Sequence, residues 1–278
     1  MIDFEKDIAV LKLSSGLILN SNEVGISHEA VNAYAAEVAK VEEEFHPLLI
    51  VGGAVGAGRA YLEEIGEDHE GTDLQALASY GSAAVSLAFQ NALREHGIRS
   101  GQVMANHNQM KKGSVLMQGI IRGIFTEQNV YTINENDQEN LFELKLFEEE
   151  GMEVREKQPG IDNDPLAAQL TIALIEELVA EGYDKDIAVS LAIFTEVGGF
   201  EKDKQVQPEI SASDREKVYA DCNGVRKGGS GGMKVKVDAC FDAVEAGAKN
   251  VYIASPYQNW KKLLDGDGKQ GSHTKVIQ

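Results

Sequence analysis

Lys12 closes a short apolar run, Ile8 to Leu13, and a turn of small residues, Ser14, Ser15 and Gly16, follows at once. Such a turn lets backbone N–H groups approach phosphate oxygens, and a lysine beside it could neutralise charge on a transferring phosphoryl group. A lysine at a strand end is, however, more often simply solvated. A second apolar run, Leu48 to Val51, leads straight into GGAVGAGR, Gly52 to Arg59, which puts the unshielded N–H groups of a helix N-terminus at the same edge. The spacing departs from the G-x-G-x-x-G dinucleotide fingerprint. Glycines that merely permit a tight turn and close helix packing are an equal reading.

Three further clusters carry polar chemistry. INENDQ places Asn134, Glu135, Asn136 and Asp137 just after an apolar run, and IDNDPLAA places Asp162, Asn163 and Asp164 before a helical stretch. Asp162 or Asp164 could serve only as an N-cap, with Pro165 at the first helical position. Two such clusters beyond strand ends could also bind a substrate ammonium group, orient a lysine or hold magnesium through water. GGSGGMKVK, Gly228 to Lys236, is a glycine-rich loop opening a long helix. Its Gly231 and Gly232 would offer N–H groups to phosphate, and Lys236 would point back from the first turns. A flexible connector is the competing reading of that loop.

The elements that must position these residues follow a recognisable rhythm. Strand-length apolar runs at Ile8–Leu13, Leu48–Val51, Gln102–Ala105, Val130–Ile133, Ile187–Ile193 and Asn250–Ile253 alternate with helical periods over 28–45, 54–65, 73–96, 114–127, 165–182 and 233–246. Ser27 is the expected N-cap of the first helix. This alternation predicts an α/β class with a sheet of parallel strands covered by helices. Two regions break it, Asn134 to Asp164 and Glu196 to Gly232, both placed where ligand loops belong, beyond the carboxyl ends of strands.

Composition bounds the partners. The 278 residues are 43% hydrophobic, enough to bury a sizeable core, and one domain over 1–278 is expected. Asp and Glu number 45 against 26 Lys and Arg, a net charge of −19. A field of that sign repels nucleic-acid backbones and anionic membranes, and any anion site must rest on local lysines, backbone N–H groups and a divalent metal. Cys222 and Cys240 offer no disulfide framework, so a cytoplasmic location is expected. No apolar run approaches the roughly 20 residues of a membrane span, and the acidic start does not read as a signal peptide. His28, His46, His69, His96, His107 and His273 lack metal-ligand spacing and read as structural or solvated.

Taken in order, KLSSGLIL, IVGGAVGAGRAYL, INENDQ, DNDPLAAQL, IFTEVGGFEKD and GGSGGMKVKVDACFDAVEAGAKNVYIAS resemble the motif series of the glutamate 5-kinases within the amino acid kinase family, from about Ile8 to Ser255. The resemblance implies a three-layer α/β/α sandwich on a largely parallel central sheet. It implies ATP and Mg2+ as cofactors, the metal held through ATP, and a homo-oligomer in amino-acid (proline) biosynthesis. It also implies transfer of the γ-phosphoryl group of ATP to a small-molecule carboxylate, the side chain of glutamate. By position, Lys12 and Lys236 match the lysines that stabilise the transferring group, and Asp164 matches the aspartate that orients them. Gly52, Gly53, Asp137 and Asn163 fall at the family's substrate contacts. Lys12, Ser14, Ser15, Gly16, Thr195, Glu196 and the loop of Ser230, Gly231, Gly232, Met233 and Lys236 fall at its nucleotide contacts.

The departures from the family pattern are specific. Ser14 and Ser15 stand where Gly and Thr are usual, and Gly52 lacks the hydroxyl side chain usual after the second strand. Glu196 replaces an aspartate. The acidic stretch between Asp137 and Asp162 is longer than usual, and GSHTKVIQ only faintly echoes the family's closing signature. No C-terminal domain of the RNA-modification type is expected. Three functions therefore compete: a kinase of glutamate or a close analogue, a kinase of another small acceptor such as carbamate, a phosphonate or a phosphate, and a non-catalytic nucleotide-binding subunit.

Overall fold

A computed structural model describes residues 6–19, 25–136, 163–180, 187–222 and 232–278. Asp137, Asp162, Ser230, Gly231 and the acidic stretch of the first loop region lie outside the described residues. In chain order the elements are β1 (Asp7–Leu13), a single helical turn α1 (Ser15–Ile18), α2 (His28–Glu42), β2 (Phe45–Val51), α3 (Ala54–Glu64), α4 (Leu74–Glu95), β3 (Ser100–Ala105), α5 (Val115–Glu127) and β4 (Val130–Glu135). They continue with α6 (Asn163–Ala180), β5 (Val189–Phe194), β6 (Glu201–Lys202), β7 (Gln205–Val206), β8 (Glu209–Ser211), a 3-10 turn (Ala212–Asp214) and α7 (Arg215–Asp221). The last are α8 (Gly232–Glu245), β9 (Val251–Ala254), α9 (Trp260–Leu264) and β10 (His273–Ile277).

The main sheet has eight strands in the order β3-β4-β2-β1-β5-β9-β10-β8. The first six run parallel, and β10 turns antiparallel to β9. β1 is central and apolar at nearly every position because helices cover both of its faces. Ile8 and Val10 pack into one layer with α5, α6 and α8, while Ala9, Leu11 and Leu13 pack into the other with α2 and α4. The result is the expected α/β/α sandwich. Because strand side chains alternate, Lys12 shares the face of Ile8 and Val10 and is aimed at the α6/α8 layer.

Each of the six expected strands and six expected helices is present, with ends moved by a few residues. Ser27 caps α2 as expected, its side chain accepting from the Ala30 N–H, and Asp73 and Ser114 cap α4 and α5 in the same way. The second loop region, however, holds structure of its own: the β6/β7 hairpin, β8, the 3-10 turn and α7. Two- and three-residue strands are too short for an alternation to register in sequence. β10 is equally unmarked, because GSHTKVIQ carries two lone apolar residues among polar ones. Among the described residues no helix is long and apolar enough to cross a membrane.

The start of α3 is fixed by a close helix crossing. A Cβ at Gly81 of α4 would lie 1.9 Å from the carbonyl oxygen of Ala54, the first residue of α3, and one at Gly58 would lie 1.8 Å from the Leu77 carbonyl. Gly81→Ala is therefore expected to cost about 1–3 kcal/mol by overpacking, read as a lower urea midpoint. Gly119→Ala in α5, where an added Cβ meets nothing within 4 Å, should be neutral or stabilise by up to about 1 kcal/mol. Equal behaviour of the two variants would refute the crossing as the reason for glycine at position 81.

Candidate active site

β1 connects to β2 on one side, whereas β5 connects onward to β9 on the other, so a crevice opens beyond the carboxyl ends of β1 and β5. Lys12 lies one residue from the end of β1, in register with Ile50 of β2 and Ile193 of β5. Asp164 is the second residue of α6, where the positive end of the helix dipole favours a carboxylate. Lys236 lies in the second turn of α8. These three residues, far apart in the chain, meet at the crevice. Asp164 Oδ1 pairs with Lys12 Nζ, and Asp164 Oδ2 accepts from Lys236 Nζ at 2.6 Å. The Asp164 side chain is fully buried, and those of Lys12 and Lys236 are 3% and 12% exposed.

Burial by itself would push the Asp164 carboxyl up, but the Lys12 and Lys236 ammonium groups outweigh it and bring the group down from 3.8 to about 2. A depressed folded-state pKa stabilises the fold above the unfolded-state value and loses that contribution as pH falls through the folded one. The stability difference between wild type and Asp164→Asn, measured in urea, should therefore hold above about pH 4 and shrink as pH falls from 3.8 toward 2. A difference that is flat across that window would show that the carboxylate charge is not what the variant removes.

The turn after β1 rests on an aromatic stack. Phe194 at the end of β5 stacks on Trp260 of α9 with centroids 4.2 Å apart, and Trp260 stacks on Tyr34 of α2 at 5.8 Å. Tyr34 donates to the Leu17 carbonyl at 3.3 Å, and desolvation pushes its hydroxyl pKa well up, with the neighbouring Tyr257 adding to the shift. Ser14 Oγ donates to the Phe194 carbonyl at 2.9 Å and accepts from Lys12 Nζ at 3.4 Å. Ser14 thus ties the turn to both β5 and the lysine. Glu196 is exposed just beyond β5, and its carboxylate lies against Gly16 of the turn. Thr195, buried before it, donates its backbone N–H to the Ala254 carbonyl at 2.9 Å.

The second glycine pair takes its place from β4. Asn134 is buried, and its Nδ2 donates to the Val51 carbonyl, holding the end of β2 where the chain turns into Gly52 and Gly53. Gly53 has φ 98°, a left-handed conformation that favours glycine, as does Gly232 with φ 58° at the start of α8. Asn163 Oδ1 accepts from the Glu135 N–H at 3.2 Å, joining α6 to the end of β4. Met233 is partly buried against the α6/α8 core.

One group near this edge reads as merely structural or solvated in the sequence. His107, just past β3, shares a 2.7 Å hydrogen bond between Nδ1 and Gln169 Oε1, and its carbonyl accepts from Gln169 Nε2 at 2.8 Å. Its Nε2 faces the buried Glu135 carboxylate at 3.5 Å. The usable signal is position, since His107 follows a strand end as the other site residues do.

A crevice at the switch point of a parallel sheet, with two lysines on one buried carboxylate beside small-residue turns, is the candidate site of this α/β protein. The model of the amino acid kinase family matches residues 7–255, and the chain belongs to that family. It is 28% identical over 282 residues to a glutamate 5-kinase from Bacillus cereus, with 95% of this chain and 68% of that protein covered. It is 29% identical to a glutamate 5-kinase from Burkholderia thailandensis, over 88% of this chain and 61% of that one. The chain thus spans 68% and 61% of the length of these two curated relatives. Among solved structures it superposes on a carbamate kinase from Giardia lamblia bound to AMP-PNP with a TM-score of 0.64, at 16% identity over 99% of both chains. A UMP kinase from Ureaplasma parvum gives 0.59 at 14% identity, over 98% of this chain and 100% of that one. Both likenesses confirm the fold.

Proposed function

We propose that this chain is an ATP-dependent phosphotransferase that converts the side-chain carboxylate of glutamate, or of a close analogue, into an acyl phosphate. The observation that carries this reading is the buried arrangement of Lys12, Asp164 and Lys236 at the crevice. Phosphoryl transfer asks for in-line positioning and fixed positive charge rather than covalent help from the protein. Two ammonium groups held on opposite oxygens of one carboxylate are fixed in orientation before any substrate arrives. The dry surroundings strengthen them at the moment charge shifts from the γ-phosphoryl group to the leaving ADP.

Asp164 suits an acceptor that is already anionic. Held ionised between two ammonium groups, it is a poor proton acceptor, and a carboxylate nucleophile needs none. One oxygen of the acceptor carboxylate forms the new bond to phosphorus as the bridge to ADP breaks. The turn of Ser14, Ser15 and Gly16 and the tight approach of Gly52 to it fit a phosphate chain lying against backbone. Magnesium arriving with the nucleotide would supply charge neutralisation at its phosphates. In this reading the ion is carried by phosphates and water.

A second acceptor class is favoured by Gly52, which brings no side chain to the crevice. ATP- and magnesium-dependent turnover with glutamate, aspartate, N-acetylglutamate, carbamate and small phosphonates, with hydroxylamine to trap acyl phosphates as hydroxamates, tests both. Hydroxamate from glutamate supports the main reading. ADP release without hydroxamate transfers the proposal to a non-carboxylate acceptor, and no turnover with nucleotide still bound would leave only a binding subunit.

A further inference from the structure

His107, Gln169 and Glu135 draw three elements together beside the start of α6. Gln169 Nε2 donates to the His107 carbonyl at 2.8 Å, and because a carbonyl only accepts, chemistry fixes which way the amide points. Its Oε1 is then the atom 2.7 Å from His107 Nδ1, and that nitrogen must carry a proton. A neutral ring with its proton on Nδ1 would turn the Nε2 lone pair toward Glu135 Oε1, 3.5 Å away. Two acceptors would then face each other at a carboxylate only 2% exposed, unless a second proton lies between them. Imidazole is the stronger base of the two.

We infer that His107 is held as an imidazolium between Gln169 and Glu135 and acts as a positioning residue for the N-terminus of α6. Glu135 passes the restraint on, because its backbone N–H donates to Asn163 Oδ1 at 3.2 Å, and Asn163 directly precedes Asp164. Gln169 holds α6 to the same histidine within two turns of the helix start. The carboxylate that orients Lys12 and Lys236 thus projects from a helix gripped at two points, from the loop after β3 and from the end of β4. The other groups around this loop are engaged or turned outward. The side chains of Asn106 and Gln109 each accept from the other's backbone N–H, Lys111 and Lys112 are exposed, and Glu177 of α6 accepts from the Gly113 N–H. The positioning role rests on the phosphotransfer proposed above, whereas the charge on the ring does not.

Long-range proton–nitrogen correlation spectra of the full chain at neutral pH read the ring directly, with the His107 signals identified by their loss in His107→Ala. Both ring nitrogens should resonate as protonated in wild type. In Glu135→Gln, whose side-chain amide donates to Nε2, that nitrogen should lose its proton while Nδ1 keeps its own. An unprotonated Nε2 in wild type, or a ring still doubly protonated in Glu135→Gln, overturns the charge assignment. For the positioning role, His107→Ala should lower kcat with glutamate about tenfold, the cost of a small misplacement of reacting groups, and leave the KM for ATP within about twofold. An unchanged kcat in His107→Ala, shown by its thermal midpoint to be folded, overturns that role, and His107→Asn repeats both readouts should the alanine variant not fold. Absence of wild-type turnover overturns the proposed function and the kinetic role with it, while the spectra still decide the proton.

Discussion

Lys236→Ala is expected to lower kcat by about a hundredfold to a thousandfold, the usual cost of removing one fixed donor from a developing anionic transition state. The argument rests on geometry. Lys236 reaches the crevice from α8 and ends 2.6 Å from a carboxylate that Lys12 holds from the other side, so it is fixed without being needed to neutralise Asp164 alone. The protein should therefore stay folded, with a thermal midpoint lowered because the buried Asp164 Oδ2 loses its donor, though by less than in Asp164→Ala, and bind ATP with modestly reduced affinity. Lys12→Ala should lose at least as much rate. Turnover within about tenfold of wild type in Lys236→Ala would remove this lysine from the reaction and with it the role proposed for the cluster.

Asp164→Ala is expected to act on the fold as well as the rate. It removes the carboxylate held between two ammonium groups that are 3% and 12% exposed, and breaking a buried ion pair from one side costs about 3–5 kcal/mol. Against a typical total of about 5–15 kcal/mol, that is a large drop in the urea midpoint. Replacing all three members with apolar residues, as in Lys12→Met/Asp164→Leu/Lys236→Met, should restore most of the stability while abolishing turnover, because no charge is then left buried. A cost below about 1 kcal/mol for Asp164→Ala would mean that water reaches the cluster freely.

Much of this architecture is legible because its signals are local. The long helices show a 3.6-residue period and capping residues such as Ser27, and the central strands are unbroken apolar runs. β6 and β7 are too short to show a period, and β8 and β10, which pair with each other across the chain, are not legible either. The site is partly legible for the same reason. Lys12 and Lys236 sit in motifs with glycine or serine neighbours, so their types and spacing draw attention. Asn134 stands out only as a member of a polar cluster, although its job is to hold the Val51 carbonyl. His107 carries no such mark, because nothing near it in sequence shows Gln169 or Glu135 beside it.

The sequence by itself determined the class of fold and the residue types at the phosphate-facing turns, because hydrophobic period and turn chemistry are short-range properties of the chain. The tertiary structure decided that Lys12, Asp164 and Lys236 are one cluster, that Ser14 is tied into the scaffold while Ser15 is exposed, and that Gly52 lies against Ser15. Those facts arise where β1, β2, α6 and α8 converge, and the Lys12 and Lys236 ammonium groups, far from Asp164 along the chain, hold it ionised against its burial. Alternation along β1 fixed which way Lys12 points, but only the packing of α6 and α8 on that face decided what it meets.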